Sequence, residues 1–270
     1  MSSHNPSQPV TRASLARMKA AGEKITCLTA YDAGFARLID AAGVDMIIVG
    51  DSLGMVVQGR ESTLPVTLDD MIYHAAAVAR GARRALRVVD MPFMTYADVR
   101  AALANAARLM REGGAQMVKL EGGARVTEIV HDLVQQGIPV CGHLGLLPQS
   151  VHQLGGYRVQ GREREAAHAI LEDARGLESA GAALLVLECV PAALAGEITR
   201  AVSMPVIGIG AGPECDGQVL VLQDMLGITP GKAPRFARDF MAGAGSIQAA
   251  VEAYLRAVQD GSFPAPEHCF

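Results

Sequence analysis

The sequence contains no tryptophan, and aromatic residues fill only 4% of its 270 positions, so no local aromatic cluster marks a stacking platform. Positive charge is not in surplus either. The 24 basic side chains face 28 acidic ones, a formal charge of −4, which excludes a nucleic-acid binder working through a basic face. Long apolar runs are missing. The best, Val44–Val49 and Ala182–Leu187, fall far short of the roughly 20 residues that span a bilayer, and the opening MSSHNPSQP has no apolar signal core. Neither a membrane nor secretion is expected. The five cysteines (Cys27, Cys141, Cys189, Cys215, Cys269) form no CxxC pair and are odd in number, so they read as reduced thiols of a cytoplasmic protein without metal-ligand spacing.

Half of the residues are apolar, the opposite of a disordered composition, and this fraction points to burial beyond one monomer's core, hence to a homo-oligomer. Short apolar, β-branched runs without in/out alternation read as buried parallel strands: 25–30, 45–50, 86–91, 115–121, 138–143, 183–188, 204–210 and a weaker 218–223. Between them, residues 32–42, 68–82, 96–112, 126–136, 162–180 and 192–202 carry helical spacing. Gly43, Gly113, Gly137 and Gly181 stand where left-handed C-caps are wanted, and Thr67 stands where an N-cap is wanted. Eight strands with intervening helices over this length predict an α/β fold of the (β/α)8 barrel type, one domain over residues 1–270 with a polar, mobile segment at 1–12. An open doubly wound sheet would place a G-x-G-x-x-G turn after the first strand, where TAYDAGFAR stands instead.

What ends each strand is more informative than the strands themselves. Strand two runs into Asp51 and Ser52, strand three into Asp90, strand four into Lys119 and Glu121, strand five into His143, strand six into Glu188. In a barrel these ends share one rim, where active sites are built. Each acid alone could be a turn-former or cap. Lys119, inside a strand and one of only four lysines, is harder to place without a partner. Because side chains alternate, Lys119 and Glu121 share one face while Val118 and Leu120 point to the helices. Three carboxylates without a cysteine (Asp51, Asp90, Glu121) suit Mg²⁺, which keeps positions open for a chelating 2-oxo acid. Lys119 would add positive charge beside a developing enolate, and Glu188 would serve as general base. A metal-dependent lyase or aldolase acting on another oxo acid and a metal-free Schiff-base aldolase using Lys119 remain open on the residues alone. The run VIGIGAG reads either as a phosphate cradle or as glycines permitting close backbone approach at Gly208, Gly210 and Gly212.

The stretches KITCLTAYDAGFARLIDAAGVDMIIVGDSLGMVVQG, TLPVTLDDMIYH, DMPFM, VKLEGG, GHLGLLPQS and VIGIGAGPECDGQVLVLQDMLG resemble the ketopantoate hydroxymethyltransferase family, in order from about Lys24 to about Phe236. The resemblance implies a barrel of the phosphoenolpyruvate/pyruvate superfamily that binds Mg²⁺ and assembles as a large oligomer, commonly a decamer. It implies transfer of a one-carbon unit from methylenetetrahydrofolate to 3-methyl-2-oxobutanoate, giving 2-dehydropantoate on the way to pantothenate. By motif, Asp51 and Asp90 match metal ligands and Glu121 a third metal-associated carboxylate. Ser52 and Lys119 match contacts to the oxo acid, Glu188 the proton acceptor and His143 a pocket histidine. The folate-binding residues are not marked by any motif.

Overall fold

The computed structural model describes residues 8–229 and 231–270. Eight parallel strands close into a barrel in sequence order: β1 (Ile25–Thr29), β2 (Met46–Val49), β3 (Leu86–Asp90), β4 (Met117–Glu121), β5 (Val140–Gly145), β6 (Leu184–Glu188), β7 (Val206–Ile209) and β8 (Gly217–Leu220). Eight longer helices accompany them: α1 (Arg12–Ala21), α2 (Ala33–Ala42), α3 (Leu68–Gly81), α4 (Val99–Arg111), α5 (Thr127–Gln135), α6 (Arg164–Ser179), α7 (Ala192–Ala201) and α8 (Ile247–Gln259). The strands are apolar on both faces because both faces are covered. Leu28, Ile47, Val89, Val118, Leu120 and Leu185 pack outward on the helices, while Cys27, Met46, Ile48, Val88, Met117 and Val186 fill the barrel.

The helix boundaries follow their capping chemistry. Thr67 and Asp70 form a reciprocal capping box at the start of α3. Gly43, Gly137 and Gly181 take the expected left-handed conformation, with φ of 94°, 81° and 100°. At α4 the expectation is off by one residue: Gly114 takes the positive φ of 71°. Gly113 serves close approach instead, since a Cβ there would lie 2.7 Å from the Leu109 carbonyl oxygen.

Two helices lie outside the strand-helix alternation read from the sequence. α1 sits on the barrel's N-terminal mouth, where Val10, Leu15 and Met18 join the interior cluster. Lys19 fastens it there by donating to the carbonyls of Thr199 and Met204 and pairing with Asp216 at 2.9 Å. Residues 1–7 of the polar N-terminal segment lie outside the described residues, whereas Val10 is buried and Thr11 caps α1. At the other end of the chain, α8 packs on α2 and β1. Its Tyr254 is fully buried, with the hydroxyl 2.9 Å from the carbonyl oxygens of both Cys27 and Gln218, across the seam where β1 meets β8.

Leu15 is the most deeply buried apolar side chain that α1 contributes. Leu15→Ala is expected to lower unfolding free energy by about 2–5 kcal/mol. Urea unfolding followed by circular dichroism measures this, and a change within about 0.5 kcal/mol would show that the plug is not part of the cooperative unit.

Candidate functional site

Register places the polar side chains before any of them makes a contact. Asp90 is level with Lys119 across β3 and β4, Glu121 with His143 across β4 and β5, and Gly145 with Glu188 across β5 and β6. Side chains level on adjacent parallel strands lie on the same face, so these residues meet inside the C-terminal mouth. Asp51 stands two residues past the end of β2, and its backbone N–H donates to Asp90 Oδ2 at 3.2 Å. All seven predicted residues, Asp51, Ser52, Asp90, Lys119, Glu121, His143 and Glu188, line one cavity of about 480 Å³.

Lys119 is the centre of the cluster. Its ammonium is 3.1 Å from Asp90 Oδ2 and 3.1 Å from His143 Nδ1. Burial works against the charge, but Asp90, Glu121 and Asp51 outweigh it and hold the group above the ordinary lysine range. Burial and the nearby Lys119 work against a charged imidazole, but the contacts with Glu121 and Glu188 outweigh both and push His143 up to about 8. Nε2 lies 3.2 Å from Glu188 Oε2, in contact but without hydrogen-bond alignment. Glu188 is wetter than the buried carboxylates, with 15% of its side chain accessible against 1% for Glu121. Ser52 reaches the cavity from the turn after β2, where its hydroxyl is 2.8 Å from that of Tyr31.

The three carboxylates have different surroundings. Burial, reinforced by Asp90 and Glu121, pushes the Asp51 carboxyl well above the ordinary range. Asp90 is also raised by burial, against the pull of Lys119. Glu121 is lowered, because His143, Lys119 and the Gln149 N–H overcome its burial. Among the described residues no group of three His, Cys, Asp or Glu side chains forms a ready-made metal cage. Two buried oxygens, Asp90 Oδ1 and Glu121 Oε1, nevertheless have no hydrogen-bond partner.

Sequence reasoning missed the residues that tie these acids together. Gln149, 5% exposed, donates its backbone N–H to Glu121 Oε2 at 3.0 Å and its amide to Asp51 Oδ2 at 2.8 Å. Tyr96 donates to Gln149 Oε1 at 2.6 Å, which fixes the amide's orientation. GHLGLLPQS carried a signal in retrospect, a polar amide after a strand-end loop. Gly145 at the start of that loop has φ 89°, and a Cβ there would lie 2.2 Å from the Glu188 carbonyl oxygen. The VIGIGAG glycines are likewise sites of close approach: a Cβ on Gly208 would lie 2.9 Å from Cys215 Sγ, and one on Gly212 would lie 2.5 Å from Ala192 Cβ.

A sequence profile of the family described as ketopantoate hydroxymethyltransferase matches residues 9–266. The 3-methyl-2-oxobutanoate hydroxymethyltransferase of Alkalilimnicola ehrlichii is 61% identical over 263 residues, covering 97% of this chain and 95% of its own length. Among solved structures, phosphonopyruvate hydrolase superposes with a TM-score of 0.62 at 11% identity, covering 93% of this chain and 98% of its own. A 2,3-dimethylmalate lyase, a member of the PEP mutase/isocitrate lyase superfamily, gives 0.54 at 18% identity, covering 77% and 80%. At such identities the two structures share the barrel fold, and the likeness goes no further.

Gln149→Leu leaves Asp51 Oδ2 and Tyr96 without their partner in a buried setting. The expected loss is about 1–3 kcal/mol of stability, with Tyr96→Phe costing about 1 kcal/mol. Denaturant titration of both variants and their double mutant checks this. Strictly additive losses would mean that the two side chains do not act as one latch.

Proposed function

The chain belongs to the ketopantoate hydroxymethyltransferase family, and we propose that it transfers a hydroxymethyl group from methylenetetrahydrofolate to 3-methyl-2-oxobutanoate, giving 2-dehydropantoate and tetrahydrofolate. The observation that carries this reading is the pairing, across His143, of a buried cation at Lys119 with a wetter carboxylate at Glu188 in one cavity. In this reading the protein is a cytoplasmic enzyme of pantothenate biosynthesis, a decameric homo-oligomer of one-domain chains spanning residues 1–270.

Mg²⁺ fits the donor set. Three buried carboxylates face one buried ammonium, and burial loads the imbalance onto Asp51 and Asp90, which are adjacent. Asp51 and Asp90 would hold the ion, with the spare oxygen of Glu121 beside it. Two carboxylates are enough for Mg²⁺, which completes its shell with water and substrate oxygens. When bound, the ion supplies Lewis-acid stabilisation of negative charge on the ketone oxygen.

The protein's own groups do the rest. Lys119 and the Ser52 hydroxyl receive the oxo acid, with Lys119 placing its charge where the enolate develops. Glu188 takes the proton from the branched carbon; that C–H bond breaks and its electron pair passes into the enolate. Water adds to the methylene carbon of the folate as its two C–N bonds break, their electron pairs and the two water protons going to the folate nitrogens, which releases a formaldehyde-level unit. The enolate carbon attacks that unit, and the resulting alkoxide takes back the proton held by Glu188. His143 Nε2, 3.2 Å from Glu188 Oε2, stands beside the carboxylate that would take this proton. A Schiff-base role for Lys119 is disfavoured, since a nucleophilic amine needs a lowered pKa and this one is raised.

Purified protein with Mg²⁺, methylenetetrahydrofolate and the oxo acid should form 2-dehydropantoate, and its absence would end this assignment. Glu188→Gln is expected to slow exchange of the branched-carbon proton into D₂O, followed by NMR, by about 10²–10⁴. Exchange at the wild-type rate would remove Glu188 from the base role. Asp90→Ala should weaken Mg²⁺ binding at least tenfold in a calorimetric titration, and unchanged affinity would remove Asp90 from the ion's shell.

A further inference from the structure

Three aromatic side chains, Tyr157, Phe236 and Phe270, line the rim of the cavity. A fourth, Tyr31, stays behind the wall, 3% exposed, and yet bonds to a group that faces the reaction. It stands two residues past the end of β1, where pairing with β2 continues: the Ala30 N–H donates to the Ile48 carbonyl at 3.2 Å. Its own carbonyl accepts from His74 Nδ1 on α3 at 2.7 Å, so the backbone is held from two sides. The phenol therefore arrives at a fixed point beside the turn after β2, with its oxygen 2.8 Å from Ser52 Oγ. Ser52 precedes the short helical turn Leu53–Val56, a place where serine ordinarily caps. Here its backbone is already helical, with φ −51° and ψ −19°, and its hydroxyl makes no cap bond. Tyr31 is its only hydrogen-bond partner among the described residues. On its other side the hydroxyl borders the acids. A Cβ on Gly50 would lie 3.0 Å from Ser52 Oγ and 3.5 Å from Asp90 Oδ2, so the bare Cα leaves both groups facing the same space.

We infer that Tyr31 is a positioning residue for the oxo acid: its phenolic O–H donates to Ser52 Oγ and so turns the serine's own proton into the cavity. The inference rests on the function proposed above and adds a residue that touches no substrate. The direction of the bond follows from the two hydroxyls. A phenol ionises near pH ~10, far more readily than an alcohol, so it is the better donor and the poorer acceptor. Burial holds the Tyr31 phenol above its ordinary range, so the proton is there to give. Thr29, the other hydroxyl beside the phenol, supports the same direction. Its oxygen already accepts the Leu222 N–H at 3.0 Å, which leaves its proton for the phenolic oxygen. Each hydroxyl carries one proton. Once Ser52 accepts from Tyr31, its proton is left for an acceptor on the cavity side, and the oxygens of a 2-oxo acid can only accept. The serine thus meets the substrate as a donor whose direction is already set, and no rotor has to be ordered on binding.

Binding of 3-methyl-2-oxobutanoate to the intact protein, measured by calorimetry with Mg²⁺ and without folate, tests this in Tyr31→Phe, Ser52→Ala and the double variant. Phenylalanine keeps the buried ring and removes only the hydroxyl. Tyr31→Phe is expected to weaken oxo-acid binding about three- to tenfold, the usual size of one hydrogen bond. The KM for the oxo acid should rise by a similar factor with kcat within about twofold, the split expected when ground and transition states lose the same contact. In the Ser52→Ala background the same change should have no further effect, because the phenol acts through the serine alone. An equal loss in both backgrounds would show that Tyr31 supports the fold and not the hydroxyl, and would overturn the assignment. Unchanged binding in Tyr31→Phe would do the same, as would a Ser52→Ala loss smaller than that of Tyr31→Phe. A wild type that bound no oxo acid would sink the functional reading and this assignment with it, whereas wild-type binding with a failed cycle sinks the assignment alone.

Discussion

The burial of one ammonium governs the mouth of this barrel. Lys119 is 5% exposed, and a lysine so far from water survives charged only beside anions. Parallel register supplies them without any loop having to adapt. Asp90 is level with Lys119 on the neighbouring strand, and Glu121 lies two residues on along the same strand, hence on the same face. Once these are fixed, His143 falls beside both, because it is level with Glu121 and on the next strand. The polar cluster is thus a consequence of strand parity and stagger, and its precision comes from the most rigid part of the molecule.

A cluster with three acids and one base carries its own strain. Removing one partner from a buried ion pair typically costs about 3–5 kcal/mol, so these side chains are held mutually hostage. Gln149 relieves part of the imbalance with neutral donors, one N–H to Glu121 and one amide N–H to Asp51. It adds hydrogen bonds to the acids without adding charge. Tyr96 prevents the amide from flipping, since a reversed amide would turn an oxygen toward the Asp51 carboxylate.

This division explains what could be read from the sequence. Strands were legible because both faces are buried and the runs are therefore continuous, and the strand-end acids and Lys119 stood out as charge placed against that background. The structure gathers all seven into one cavity. Gln149 and Tyr96 carry no charge and lie in loops, so nothing separated them from ordinary turn residues. α1 escaped notice because RASLARMKAA buries only Ser14, Leu15 and Met18, too sparse a stripe to signal a helix. At α4 the sequence offered two adjacent glycines, and only packing against Leu109 decides which of them turns left-handed.

The rim aromatics were illegible for a further reason. Tyr157, Phe236 and Phe270 come from segments far apart in the chain, and in a protein with 4% aromatic residues no window of sequence gathers them. Closure of the barrel does so. β8 returns to pair with β1, and the chain beyond it crosses the mouth before and after α8. The polar floor is therefore built from strands, where position is rigid and a fraction of an ångström matters to proton transfer. The rim is built from loops and late segments. Chemistry that takes a proton from carbon needs reacting groups held in fixed positions, and strand ends provide them, whereas the loops of the same mouth are free to vary in sequence and length without disturbing the barrel.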